Sequence, residues 1–203
     1  AIVMRGISKE LPWPGSRCGW IEVLNRSVDD NFAAYVDSLV AAKRLEVCST
    51  SGPQLAVPRI FADARYPAHL AERAAVYAAR AEQAHQILSA VPGIKINKAQ
   101  GAFYMTALFD RDLINGGNTL PIADPRLRAL VEEKAENAAA DARFVYYLLA
   151  STGICVVPLS GFCSPHPGFR FTLLEADDAK REWTLRTLAS ALTQYIQSGV
   201  ATA

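Results

Sequence analysis

Apolar side chains recur along the chain at two spacings, and the spacing assigns the elements. Residues 1–6 (AIVMRG) are a short, mostly apolar run, too short for an amphipathic helix, and predict a buried strand; residues 19–24 (GWIEVL) predict a second. Between them lies Leu11-Pro12-Trp13-Pro14-Gly15-Ser16, a loop because proline withdraws amide donors and glycine loosens the backbone. Phe32, Val36, Leu39 and Val40 repeat at helical spacing within 29–44, and Lys43 and Arg44 complement the dipole at its end. A loop over 48–53 and a shorter helix over 54–64 follow. Residues 67–91, rich in Ala, Glu, Arg and Gln, predict the longest helix, with Pro67 in its first turn and Pro92-Gly93 as its stop. Residues 94–97 (IKIN) and 102–109 read as two strands able to pair antiparallel, and 110–124, with Gly116-Gly117-Asn118, as a loop or insertion. A long helix over 125–151 is closed by Gly153. Strands over 154–157 (ICVV) and 169–174 (FRFTLL) flank a loop over 158–168. A last helix over 176–197 carries Leu185, Leu188, Ala189, Leu192 and Ile196 as its stripe.

The order of elements places an α/β portion before an α+β portion, bridged by the helix from Pro67, with a division expected between 1–66 and 67–203. Apolar residues make up 51% of the chain, enough for a core, and the formal net charge of +1 argues against a nucleic-acid or membrane-surface partner. No apolar run approaches the roughly 18 residues that span a bilayer. Cys18, Cys48, Cys155 and Cys163 match neither a metal site nor a disulfide framework, so no metal is expected and reduced thiols in a cytoplasmic protein are. The chain opens on Ala1 inside an apolar segment instead of on Met with a polar lead-in, so it is expected to belong to a longer protein.

Two segments carry chemistry. A lysine just past a buried strand sits where low dielectric disfavours the ammonium form, and a neutral amine can attack an aldehyde to form an imine. Lys9 holds that position. Arg17 follows where the Pro/Gly loop enters the next strand, and a guanidinium there can grip a phosphate with two parallel N–H bonds. The string Ser8-Lys9-Glu10-Leu11-Pro12-Trp13-Pro14-Gly15-Ser16-Arg17-Cys18-Gly19-Trp20 resembles the lysine signature of the class I and II aminotransferases, fold-type I enzymes that use pyridoxal 5′-phosphate (PLP). That signature is a strand, Ser-Lys, a short loop with Pro-Gly, then Arg-x-Gly and an aromatic residue. The resemblance implies PLP as cofactor, Lys9 as its Schiff-base lysine and the shuttle for the proton at substrate Cα, Arg17 on the cofactor phosphate, and Ser8 as a further cofactor contact. In one respect the chain departs. Many members carry a hydroxyl residue three positions before the lysine, and here that position is Gly6, so that side-chain contact is gone.

The second segment runs Gly153-Ile154-Cys155-Val156-Val157-Pro158-Leu159-Ser160-Gly161-Phe162 and then Gly168-Phe169-Arg170-Phe171-Thr172-Leu173-Leu174. Strand alternation puts Phe169 and Phe171 on one face and Arg170 on the other, where an arginine needs a charge partner. A substrate carboxylate, a structural ion pair or an edge position would each satisfy it. The segment resembles the family's carboxy-terminal pattern, in which an arginine opening the strand clamps the substrate α-carboxylate, and Arg170 takes that role by resemblance. Gln100-Gly101-Ala102-Phe103-Tyr104 resembles the Gly-Ala-Phe-Tyr start of a strand in the family's small domain; its aromatic pair is expected mainly to pack in the core, with Phe103 able to approach the substrate. His166 in the loop, and His69 and His85 on the long helix, read as solvated.

The resemblance spans 2–196 apart from 110–124, and its wording around 155–162 and 169–174 is near the alanine aminotransferase branch. It implies an α/β fold class: the carboxy-terminal part of the PLP-binding large domain over 1–66, and the α+β small domain with its connecting helix over 67–203. It also implies a homodimeric full-length enzyme moving an amino group between an amino acid and a 2-oxo acid. The pyridinium-pairing Asp, the ring-stacking aromatic residue and the glycine-rich phosphate turn of such enzymes have no counterpart before Lys9, so this chain alone is expected to bind PLP poorly and to transaminate negligibly. Another fold-type I PLP enzyme, a lyase or decarboxylase, shares the lysine signature, and an aminotransferase-like ligand-sensing domain of a transcription regulator shares the whole pattern.

Overall fold

The structure, a computed structural model, describes residues 1–200 and divides the chain into two compact units, Ala1–Leu70 and Ala71–Ala203.

In the first unit, strands β1 (Ile2–Gly6) and β2 (Gly19–Val23) form an antiparallel ribbon with Ile2 opposite Val23 and Gly6 opposite Gly19. A single helical turn, α1 (Ile7–Glu10), leaves β1 directly. Helix α2 (Asp30–Arg44) begins where the Asp29 carboxylate accepts the Phe32 N–H at 2.8 Å, an N-cap. Helix α3 (Ser51–Ala62) starts ahead of the expected 54, inside the stretch read as loop. Pro53 fits its first turn because amides there have no acceptor within the helix, and Pro58 sits inside it. Ile7, Val36 and Val57 form the buried apolar positions of this unit. The ribbon departs from the reading of two buried strands: Met4 is 84% and Ile21 44% exposed. The physical reason is that a two-stranded ribbon covers too little of itself, and among the described residues of this unit no further strand pairs with it. Trp20, Phe61 and Tyr66 make an aromatic group with ring centroids 5.7 and 5.2 Å apart, and Tyr66 Oη donates to Glu10 Oε1 at 2.7 Å.

Helix α4 (Tyr66–Leu88) begins in the first unit and continues into the second. Gly93, at φ 83°, turns the chain into β3 (Ile94–Ile96). With β4 (Tyr104–Phe109), β5 (Val157–Pro158) and β6 (Gly168–Thr172) it forms a sheet of order β3-β4-β6-β5, antiparallel throughout. Alternation along β4 and β6 buries Met105, Ala107, Phe109, Phe169 and Phe171. Helices α5 (Pro125–Ala135), α6 (Ala140–Thr152) and α7 (Asp178–Val200) complete the unit. Phe144 on α6 is the hub of the core, with its ring 5.2 Å from Phe109, 5.5 Å from Phe169 and 5.1 Å from Tyr195.

Two expectations change here, and a third is extended. The single helix over 125–151 is two helices, broken at 136–139. Val131 and Ala135 are buried on α5, whereas Asp141, Phe144, Val145 and Leu148 are buried on α6. Those two stripes are out of phase on one straight helix, so the chain must break to bury both, and Arg143 Nη1 takes up the freed Ala135 carbonyl at 3.3 Å. The strand over 154–157 pairs only at Val157–Pro158, although Ile154 and Val156 are buried. The segment 110–124 is a loop with one 3₁₀ turn, Arg111–Leu113, as read, but it also feeds the core, with Ile114, Leu120 and Ile122 buried. Asn118 is fully buried, donating from Nδ2 to the Tyr195 carbonyl at 2.8 Å and to the Leu113 carbonyl at 3.3 Å, and accepting the Asn115 N–H at 2.7 Å.

Asn118 therefore fastens the segment to α7. Asn118→Ala leaves buried backbone groups unpaired and should lower stability by about 2–4 kcal/mol, read as a lower urea midpoint; a midpoint unchanged from wild type contradicts the fastening role. A second outcome concerns Tyr66, whose phenol is pushed up to about 12 by partial burial and by the Glu10 carboxylate that accepts its hydrogen bond. The fold favours the neutral phenol, so its stabilisation is complete below the ordinary value of 10.0 and is lost as pH climbs from there through about 12. Tyrosinate absorbance should show two late-titrating tyrosines in the wild type, Tyr66 and the more deeply buried Tyr195, whose phenol burial pushes up further, and Tyr66→Phe should remove the earlier of the two; coincident curves count against it.

Candidate active site

The segment 7–18 closes on itself. Ile7, with no exposed surface, donates its N–H to the Cys18 carbonyl at 3.4 Å, and its own carbonyl accepts from Leu11 at 3.2 Å and Trp13 at 3.3 Å. Around this anchor lie Ser8, half-buried, and Lys9, exposed on α1, next to the Glu10 that Tyr66 holds. A turn of 3₁₀ helix, Pro14–Ser16, follows, with Ser16 buried and its Oγ donating to the Trp13 carbonyl at 2.7 Å. Arg17 adopts the left-handed region at φ 50° and donates Nη1 to the Pro14 carbonyl at 2.9 Å; among the described residues no carboxylate pairs with it. Gly19 is required where the ribbon starts, because a Cβ there would lie 2.8 Å from the Arg5 carbonyl. Gly6 is extended, and a Cβ would meet its nearest neighbour at an ordinary 3.8 Å, so packing does not explain the missing hydroxyl residue.

Lys9, Ser8 and Arg17 are thus brought into one closed turn system. The donor set is a primary amine, a hydroxyl and the Arg17 guanidinium, which no carboxylate pairs with among the described residues, a combination suited to an aldehyde that also carries a phosphate. The low-dielectric setting expected for Lys9 is not supplied by this segment, since β1 is largely exposed and Lys9 with it.

In the second unit, Arg170 lies on β6, the strand flanked by β4 and β5, opposite Thr106 on one side and Val157 on the other. Its side chain leaves the face opposite to Phe169 and Phe171, as alternation requires, and is half-buried. The guanidinium stands over the Tyr104 ring at 4.5 Å and over the Phe162 ring at 4.3 Å. No hydrogen bond and no carboxylate engages it among the described residues, so neither a structural ion pair nor an edge position accounts for it. Phe103 stacks on Tyr104 at 4.6 Å and on Tyr77 at 5.8 Å, extending the aromatic row. His166 is exposed.

Four non-glycine residues have positive φ among the described residues, and three of them, Arg17, Ala102 and Cys163, fall in the three motif segments. Backbone held in so sparse a region costs of order 1–3 kcal/mol each and gathers where geometry serves function. Sequence reasoning did not find Phe162, Tyr104 or Asp141. Asp141 had a signal: it shares the spacing of Phe144, Val145 and Leu148, which places an acid on the apolar stripe of its helix. Phe162 had a weaker one, as the aromatic residue of the glycine loop before Arg170.

Comparisons with known proteins identify the family. Residues 1–184 match the family model for aminotransferase class I and II. An aminotransferase of Methanocaldococcus jannaschii, named as uncharacterized, is 48% identical over 96% of this chain and 45% of its own length. Alanine aminotransferase 1 of Bos taurus is 29% identical over 89% of this chain and 34% of its own. The chain therefore spans under half the length of these curated relatives. Among solved structures, the alanine aminotransferase of Pyrococcus furiosus shares the fold with a TM-score of 0.68 at 21% identity, over 94% of this chain and 42% of that one. An Escherichia coli aminotransferase does so with a TM-score of 0.66 at 20% identity, over 97% and 43%. With its family model matched along most of its length and its fold shared with solved aminotransferases, the chain belongs to the class I and II aminotransferases.

Proposed function

We propose that the full-length protein is a PLP-dependent aminotransferase that exchanges an amino group between an amino acid and a 2-oxo acid, and that this chain supplies its lysine, one phosphate-binding arginine and its carboxylate clamp. The observation that carries the reading is Arg170. A half-buried guanidinium in the middle of a sheet, held by two rings and matched to no carboxylate among the described residues, is suited to an anion. Each ring contributes about 0.5–2 kcal/mol to the cation and none of the hydrogen bonds it needs. A planar α-carboxylate completes the fork with two parallel N–H···O bonds.

The donor set around Lys9 fits the cofactor. Lys9 would hold it through its amine, with Arg17 and Ser8 toward its phosphate; bound PLP supplies the aldehyde and the electron sink for amine transfer. The remaining work is done by the protein. Arg170 orients the substrate by its carboxylate, which fixes the direction of the Cα–H bond. Lys9 Nζ would take the proton from Cα of the amino donor and deliver one to Cα of the product amino acid when the 2-oxo acid is converted. Closure of 7–18 through Ile7 and Cys18 sets the spacing between the amine and the Arg17 guanidinium. The reading includes a homodimer and a cytoplasmic enzyme with the four cysteines as free thiols. Alanine is the first donor to assay, because several relatives are alanine aminotransferases, one of Danio rerio at 36% identity.

Borohydride reduction of the full-length protein with PLP should leave a pyridoxyl label on Lys9 by peptide mass spectrometry, and incubation with amino acid and 2-oxo acid should yield the exchanged pair. A label elsewhere, or release of carbon dioxide or an eliminated side chain as main product, rejects the reading. Arg17→Ala should weaken PLP binding about 10–100-fold, the worth of a charge-assisted pair. Arg170→Lys, which loses the planar fork, should lower kcat/KM about 100-fold, mostly through KM.

A further inference from the structure

Asp141 has no part in the chemistry above, yet it is the most deeply buried acid described in the chain, 2% exposed on the apolar stripe of α6. A carboxylate at that depth needs compensation. No cation pairs with it among the described residues; backbone amides hold it instead. Oδ1 accepts the Ala142 N–H at 2.9 Å, and the position in the first turn adds the positive end of the helix dipole. Oδ2 accepts from two residues distant in sequence, Ser160 N–H at 2.8 Å and Gly168 N–H at 3.4 Å.

Those two donors are the ends of the loop that builds the Arg170 site. Between them lies Phe162, whose ring stacks on Arg170, and the loop closes through a left-handed Cys163 whose N–H reaches the Ser160 carbonyl at 3.2 Å. Two residues past Gly168 is Arg170 itself. Gly168 has no room to shift toward β4, since even a Cβ there would overlap the Ala107 carbonyl. One carboxylate oxygen thus ties both ends of a loop whose middle and whose exit together fix one guanidinium.

We propose that Asp141 is a positioning residue for substrate-carboxylate recognition, acting through the 160–168 loop to hold Phe162 against Arg170. The inference rests on the reading of Arg170 as the carboxylate clamp. Without Asp141 the Ser160 and Gly168 amides lose their shared acceptor, the loop opens, and the Phe162 ring leaves the guanidinium. Arg170 then samples other rotamers and must be ordered again each time a carboxylate binds.

The test uses the full-length protein loaded with PLP. It measures the calorimetric Kd of propionate, a carboxylate that cannot react, beside KM and kcat for the amino donor. Asp141→Ala should raise Kd and KM about 10–100-fold while kcat changes by less than about three-fold. Hydrogen exchange should rise over 160–167. Asp141→Asn, which turns an amide nitrogen toward one donor, should show a smaller loss of about three- to ten-fold in the same direction. In Arg170→Ala, adding Asp141→Ala should cost nothing further, because the residue acts only through the guanidinium. If Arg170→Ala loses propionate binding while folded Asp141→Ala keeps it, or while Asp141→Asn keeps it should the alanine variant not fold, the positioning role is overturned and the clamp stands. Additive losses in the double variant overturn it as well, pointing to general packing. If Arg170→Ala binds propionate like the wild type, the clamp reading fails and the inference fails with it.

Discussion

A guanidinium held in the middle of a sheet, with no carboxylate beside it among the described residues, is the constraint around which the second unit is organised. Burying a charge without a partner costs several kcal/mol, so the surroundings must offset that cost or the side chain would swing out to water. Here the Tyr104 and Phe162 rings flank Arg170, and its apolar neighbours Phe169 and Phe171 lock the strand into the core on the opposite face. Phe144 packs on Phe169 from α6, the helix whose first turn carries Asp141. Core packing and site geometry are therefore settled by one helix. Removing the polar demand on β6 would leave the aromatic row from Tyr77 to Phe162 without a centre.

The first unit solves a different problem, how to present an amine and a guanidinium on a ribbon of two strands. It uses backbone bonds instead of side-chain packing. Ile7 serves as donor and acceptor to three residues across the turn, and Arg17 is held in a left-handed conformation by a bond to its own loop. Glu10, next to Lys9, is fixed by Tyr66 at the start of α4. A site assembled from turns is precise only while its closing bonds persist, which fits the low exposure of Ile7 and Ser16 in a unit that otherwise exposes much of its apolar surface.

Much of this was legible from the residue pattern. The ribbon, the long helix from 66, the antiparallel pair β3–β4 and the strand carrying Arg170 follow from local periodicity, because a strand or helix with one buried face must show its spacing. The lysine segment was legible for a different reason: Lys9, Arg17 and the prolines between them are close in sequence, so a local string specifies a local shape. The helix break at 136–139 was not legible, since Glu136, Ala138 and Ala139 favour helix, Asn137 alone is a weak signal, and the need to bury two stripes on different sides forces the interruption. Nor was the role of 110–124, where Asn118 looks like any turn residue until α7 arrives to accept its hydrogen bonds.

The sequence by itself determined the element order, the family, the alternation that turns Arg170 away from its phenylalanine neighbours, and the closeness of Lys9 and Arg17. Each of these depends on residues within about one turn or one loop of each other, where sequence spacing and spatial spacing agree. Only the tertiary structure decided that Arg170 has rings and, among the described residues, no carboxylate around it, that Asp141 reaches 27 residues along the chain to close a loop, and that Asn118 is core. Those facts turn on the satisfaction of buried polar groups, and a buried polar group is satisfied by whatever the fold brings to it, however distant in the chain.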